Sequence, residues 1–272
     1  MDCCLGAPGR VFNLAWHNQC MRKARGNTGS LSRIHVADTL APGANIVLPD
    51  AAAHHLARVL RASIDDRVTV FGDGVEFDAA ITHIGKHGVT VKLGAGAPVD
   101  RESLLPCTLV QAISSGERMD YTLQKAVELG VAAIQPIYSE RSVVRLDERR
   151  TQTRLAHWRQ VAASACEQCG RNSVPAIAEP VAIIDWFAHL HAPVAGELRI
   201  LLSPRADQRL QDFARPATVM LLAGPEGGFA DTEVDLACAR GFAALRLGPR
   251  TLRTETAALA ALAAMNTLWG DF

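Results

Sequence analysis

The stretch VMLLAGPEGGFADTE, Val219–Glu233, drives five apolar residues into a turn of three glycines, a proline and one carboxylate, and then into a helix start. Such a turn at the carboxyl end of a buried strand is where α/β sheets take their ligands. Gly224, Gly227 and Gly228 let a ligand lie against bare backbone, and Pro225 stiffens the turn. One strand later LRLGPRTLRTETA repeats the scheme: Gly248-Pro249, a polar loop with Arg250 and Arg253, then a helix start at Thr254-Glu255-Thr256. Two Gly-Pro turns in consecutive strand-to-helix loops, both charged, form the walls of one pocket. Neither loop carries a Ser-His-Asp set or metal-ligand spacing. The chemistry they suit is a cofactor held by backbone, with arginine and carboxylate facing a second substrate.

Other clusters point less sharply. SERSVVRLDERRTQTRLAHWRQ holds Arg141, Arg145, Arg149, Arg150, Arg154 and Arg159 against Glu140, Asp147 and Glu148. That excess suits phosphate contacts, or a solvated helix and loop. EQCGRNSVP puts Arg171 and Asn172 after a helix end, as caps or as a substrate clamp. CEQC, Cys166 to Cys169, has no second Cys pair to complete a zinc site. GAGAP at Gly94–Pro98 lacks the third glycine of a dinucleotide loop. His83 and His87 straddle a turn and make no metal pair. No metal is expected.

These loops need a scaffold, and the elements divide into two textures. Residues 34–96 read as short Val/Ile/Phe/Thr-rich strands at barrel spacing. One helix, AAAHHLARVLRA, interrupts them; its Leu56, Val59 and Leu60 share an apolar face, with His54, Arg58 and Arg61 at i, i+4, i+7 on another. That second face is either plain solvated surface or a phosphate-contacting strip. GAGAPVDRESLLP, Gly94–Pro106, reads as a linker. Beyond it strands alternate with helices, implying an α/β domain with a mostly parallel sheet of five or six strands. The strands LRILLSP and TVMLLAGP are apolar on both faces, and TEVD, Thr232–Asp235, fits a capping box.

Composition bounds the rest. The 272 residues carry 28 Lys+Arg and 28 Asp+Glu, so any nucleic-acid surface is a local patch. Aromatics at 5% argue against base-stacking platforms. Seven cysteines, no secretory leader and no apolar run of bilayer length predict free thiols in the cytoplasm and no membrane. Residues 1–30 are expected to form an unstructured extension or to follow a start codon placed too early.

LLAGPEGGFADTEVDLACARGF followed by LRLGPRTLRTETAALAAL resembles the SPOUT superfamily of S-adenosylmethionine-dependent RNA methyltransferases, and more narrowly the RsmE family. HHLARVLRA, RMDYTLQKAVELGV, IQPIYSERSVVR and EQCGRNSVP resemble that family's blocks in the same order. The resemblance implies a PUA-like β-barrel domain at 31–98 for RNA binding and a trefoil-knotted α/β SPOUT domain at 104–272. It further implies a homodimer with the active site where two knots meet, and methylation of N3 of a uridine in 16S ribosomal RNA, free or in the assembled small subunit. Three loops would hold S-adenosylmethionine, with Leu202, Gly224, Pro225, Glu226, Gly227, Leu247, Gly248, Leu252 and Arg253 as its contacts. Arg253 and Arg171 would stabilise charge on the uracil oxygens, and Glu226 or Glu255 would accept the N3 proton. His54, Arg58, Arg61, Arg141, Arg145 and Arg171 would bind RNA. The alternatives are a SPOUT methyltransferase for another RNA site or atom, and a non-catalytic RNA-binding ribosome-assembly protein.

Overall fold

The computed structural model describes residue 30 and residues 32–86, 88–142 and 147–272. The expected N-terminal extension (save Ser30), His87 and Arg145 lie outside these residues. The first unit is a five-stranded sheet in the order β1-β3-β4-β5-β2, from β1 (Arg33–His35), β2 (Asn45–Val47), β3 (Arg67–Gly72), β4 (Val75–Gly85) and β5 (Gly88–Pro98). β1 runs parallel to β3 and the other pairs are antiparallel. Two register shifts in β4, between Phe77 and Ala79 and between Ile81 and His83, increase its twist. Val68, Val70, Phe77, Ala79, Ile81, Val89, Val91 and Leu93 fill one core with Leu56.

The GAGAP segment is strand, not linker. Gly94 and Gly96 stand where β4 presses against β5: an added Cβ would meet Asp78 O at 2.7 Å and the Phe77 ring at 2.6 Å. The helix also differs from its predicted form. α1 (Asp50–His54) passes into a π-helical turn, His55–Leu60, closed by Arg61 in the left-handed region at φ 52°. A π turn bonds i to i+5, so the 3.6-residue spacing no longer applies. Val59 accordingly turns outward, 62% exposed, and Arg61 belongs to the cap rather than to a continuous strip with His54 and Arg58. All three basic side chains are exposed.

The second unit is an all-parallel sheet of seven strands rather than five or six, ordered β12-β10-β11-β6-β7-β8 with β9 also on β7. Its strands are β6 (Cys107–Ala112), β7 (Ala133–Tyr138), β8 (Ala176–Ile177), β9 (Val181–Ala182), β10 (Glu197–Leu202), β11 (Thr218–Ala223) and β12 (Ala243–Leu245). β8 and β9 are two residues each, too short to leave a period in the sequence. Alternate residues of the central strands enter opposite cores. Leu109, Ile200 and Leu221 join Trp158 and Met265 under α2 (Gly116–Glu128), α3 (Glu148–Cys169) and α6 (Thr254–Trp269). Val110, Leu201 and Leu222 join Phe187 and Phe242 under α4 (Ile183–His189) and α5 (Asp231–Ala239). The result is a three-layer α/β/α unit. After β12 the chain passes the end of β10 to start α6 beside Gly224, at the end of β11.

α5 begins one residue before the predicted cap. Ala230 is its N-cap, and Glu233, not Asp235, closes the turn by accepting the Ala230 N–H at 2.9 Å. The second Glu233 oxygen accepts the Glu140 N–H at 2.7 Å, so this buried carboxylate ties α5 to the loop after β7.

EQCGRN is the joint between the two units. Arg33 of β1 is paired with Glu76 and donates to Asn172 Oδ1 at 2.7 Å and to the Gly170 and Arg171 carbonyls at 3.2 and 3.3 Å. Arg101 bonds Glu76 and the Gly170 carbonyl, both at 2.7 Å. Asn172 donates to Val99 O, and Glu167 accepts the His35 N–H. Burial pushes Glu167 upward, opposed by that N–H, and burial pulls His35 down against the nearby Asp73. Burial alone would raise Glu76, but the Arg101 and Arg33 guanidiniums hold it below the usual carboxylate range. Arg33→Ala is expected to destabilise the chain by about 1.5–3 kcal/mol, the usual loss for hydrogen bonds to a charged group. Urea unfolding reads this. A loss under about 0.5 kcal/mol would show that the joint contributes nothing.

Candidate active site

Parallel registry sets the site. Leu202 lies opposite Leu245, Leu201 opposite Leu222, and Ala223 opposite Gln111. The loops leaving β10, β11 and β12 therefore emerge together at one carboxyl edge. The hydroxyl of Thr254, first residue of α6, donates to the Gly224 carbonyl, and Gln111 donates to that same hydroxyl at 3.2 Å and to Ala112 O at 3.0 Å. This buried chain fastens the second Gly-Pro loop to the first. Leu202, Gly224, Pro225, Glu226, Gly227, Leu247, Gly248, Leu252 and Arg253 are thus drawn to one edge, Leu202 and Leu247 packed on the core beneath. Thr254→Val would strand the Gly224 carbonyl and the Gln111 amide, a desolvation loss of about 1–3 kcal/mol. Weaker binding of S-adenosylmethionine in calorimetric titration is the expected result; unchanged affinity would mean that the two loops do not act together.

The turn itself is closed by Gly228 N–H to Pro225 O at 2.9 Å, with Gly228 at φ 69°. A Cβ on Gly224 would stand 3.1 Å from the Phe229 ring, and one on Gly227 would stand 3.3 Å from Arg141 Cβ. Gly248 holds φ 109° with open space where a side chain would go. Three buried polar atoms at this edge have no partner among the described residues: Gln111 Oε1, Ser114 Oγ and Glu255 Oε2. Native interiors seldom leave such atoms unpaired, so they call for a ligand with donors. Open glycine backbone and unfilled acceptors fit a cofactor carrying an ammonium and an amino-purine.

Two arginines flank the GPEGG turn. Arg141 donates to Gly227 O at 3.3 Å. Arg118, in the first turn of α2, pairs with Glu226 at 3.0 Å, the side chains 44% and 26% exposed. Arg118, Gln111, Ser114 and Thr254 were missed in the sequence. The rule that every strand-to-helix connection at a carboxyl edge counts, including ISSGER after β6, could have raised Arg118. Arg253 is exposed as the N-cap of α6, and Glu255 follows in its first turn without capping a backbone group.

Arg171 is not brought to this edge. It is 4% exposed at the opposite, amino-terminal edge, where it is paired with Glu102 and donates to Val127 O at 2.9 Å. The helix α3 runs back from the carboxyl edge over its whole length, so a residue after its end cannot return to the loops of the same chain. Arg149, Arg150, Arg154 and Arg159 are exposed on α3 and in its first turns, Arg150 pairing with Asp147. The Cys166 thiol is pushed by burial up to about 12 and faces Ser173 O, and Cys107 is likewise raised to about 12. Among the described residues no cluster of three or more His, Cys, Asp and Glu could hold a metal ion, and no helix is long and apolar enough to cross a membrane.

Comparison with known proteins agrees with this geometry. Residues 101–266 match the RNA methyltransferase domain family, and residues 48–94 match the RNA methyltransferase PUA domain family. The ribosomal RNA small subunit methyltransferase E of Buchnera aphidicola is 32% identical over 89% of this chain and 95% of its own. A methyltransferase from Legionella pneumophila, solved with bound S-adenosylmethionine, is 38% identical with a TM-score of 0.84 over 90% of this chain and 100% of its own. The ribosomal RNA small subunit methyltransferase E of Neisseria gonorrhoeae, also bound to S-adenosylmethionine, is 41% identical with a TM-score of 0.80 over 89% of this chain and 99% of its own. With its PUA domain and a parallel α/β unit whose glycine loops are tied through Thr254 and Gly224, this chain belongs to the RNA methyltransferase family of the ribosomal RNA small subunit methyltransferase E type.

Proposed function

We propose that this protein transfers a methyl group from S-adenosylmethionine to N3 of a specific uridine in 16S ribosomal RNA, giving 3-methyluridine, as a cytoplasmic homodimer. The observation that carries the reading is the Gln111–Thr254–Gly224 chain, which joins two glycine loops beside unfilled buried acceptors. Residues 31–98 serve as the RNA-binding unit and 104–272 as the methyltransferase unit.

Bound S-adenosylmethionine supplies a methyl group on a sulfonium sulfur. The backbone of Gly224, Leu247 and Leu252, with Leu202, Pro225, Gly227 and Gly248, orients it, and alignment of this kind can lower a barrier by ~7–11 kcal/mol. The neutral uracil imide is a poor nucleophile, so its N3 proton must leave. Of the two carboxylates Glu255 suits this role better, since it forms no ion pair among the described residues whereas Glu226 is engaged by Arg118. Arg253 stabilises the negative charge spread over O2 and O4. Held by these loops, the cofactor would supply an electrophilic methyl group to the deprotonated N3. His54, Arg58, Arg61, Arg141 and Arg145 contact RNA phosphates, and Arg171 is reassigned from catalysis to support of the domain joint.

The test is mass spectrometry of nucleosides from 16S rRNA and from small subunits, each incubated with enzyme and S-adenosylmethionine. 3-Methyluridine in either arm is the expected product, and the productive arm names the substrate form. A different methylated nucleoside would transfer the reading to another RNA atom, and none with bound cofactor would make the chain a binding protein.

A further inference from the structure

We infer that Glu226 stands in for an RNA phosphate, holding Arg118 at the lip of the cofactor turn until the substrate strand displaces it. This rests on the RNA methyltransferase reading above. Arg118 projects from the first turn of α2, which follows directly from the carboxyl end of β6, while Glu226 sits at the tip of GPEGG. Their single contact, Nη1 to Oε1 at 3.0 Å, joins two elements 108 residues apart. Arg118 makes no other side-chain hydrogen bond among the described residues. Exposed pairs of this kind contribute little to stability and exchange readily. A phosphate offers the guanidinium what a one-point carboxylate contact does not, two parallel charge-assisted bonds. Across the turn Arg141 contacts Gly227 O at 3.3 Å, so two cations flank the entrance with Glu226 between them. In a chain of 28 positive and 28 negative side chains, two guanidiniums against one carboxylate give the entrance a local net positive charge, and displacing Glu226 frees Arg118 to meet the strand. The carboxylate then selects for a strand that can outcompete it, and lowers affinity for RNA that cannot reach Arg118.

The opposing variants make the test. Binding of in-vitro transcribed 16S rRNA is measured against salt for wild type, Arg118→Ala, Arg118→Lys and Glu226→Gln. Loss of one phosphate contact in Arg118→Ala should flatten the slope of log affinity against log salt by about 0.7–0.9, and Arg118→Lys should restore it. Glu226→Gln should bind several-fold more tightly, because the guanidinium starts unpaired. An unchanged slope in Arg118→Ala, or unchanged or weaker binding by Glu226→Gln, would overturn the inference. Failure of the underlying reading is separate: wild type would then show no methylated nucleoside whatever its salt slope.

Discussion

Gly248→Val lowers affinity for S-adenosylmethionine by roughly 10- to 100-fold while the protein stays folded. The φ of 109° at Gly248 lies in a region open in practice to glycine alone. Forcing a β-branched residue into it stores about 1–3 kcal/mol, and 1.4 kcal/mol is tenfold in binding. No atom lies within 4 Å of the missing Cβ, so nothing clashes and the loop can relax when no ligand is present. The strain therefore appears when the cofactor requires the native loop. Gly43→Val in the barrel is the control: φ is 82° and its Cβ position is equally open, but it lies in the other unit. Calorimetric titration of both variants decides. Equal affinities for Gly248→Val and wild type would remove this loop from the cofactor site.

Arg199→Met is expected to destabilise the fold by about 3–5 kcal/mol, the range for breaking a buried ion pair from one side. Arg199 is 2% exposed in the middle of β10. Its guanidinium bonds Glu197 and Arg240 O at 2.8 Å and His191 O at 2.9 Å, and lies 5.9 Å from the Phe242 ring centre. Removing it leaves the Glu197 carboxylate, 7% exposed, with the weaker His191 contact at 3.6 Å. At roughly 2–4 °C per kcal/mol for chains of this size, thermal unfolding should fall by about 10 °C. Adding Glu197→Leu should recover part of that loss by removing the unpaired charge. A fall of less than 2 °C for the single variant would show that the cluster carries no stability.

That two Gly-Pro turns end consecutive strands at one sheet edge was legible in the sequence because it depends on local rules. Gly-Pro after a buried apolar strand, twice in succession, places two ligand-facing turns on one sheet edge whatever surrounds them. The alternation of strands and helices and the short strands of the first unit were legible for the same reason, since both are periods. Where the period failed, the reading failed. His55–Leu60 reads as an ordinary helix, yet its π turn exposes Val59 and detaches Arg61 from His54 and Arg58. Gly94–Pro98 reads as a linker because glycine lowers strand propensity, yet the close approach of Phe77 requires those glycines within β5.

By itself, then, the sequence determined the α/β class through its periods and the two Gly-Pro turns through residues within a turn or two of one another, while the PUA-like domain came from the family resemblance. The tertiary structure alone decided what Arg171 and Arg118 touch. Arg171 sits in a polar motif after a stretch holding six arginines, but the 22-residue helix before it carries it to the opposite end of the sheet, against Glu102. Arg118 opens the block RMDYTLQKAVELGV with nothing local to mark its partner, but parallel registry of β6 beside β11 places it 3.0 Å from Glu226. Side-chain partners separated by 69 or 108 residues are set by strand order and helix length, and no local pattern encodes them.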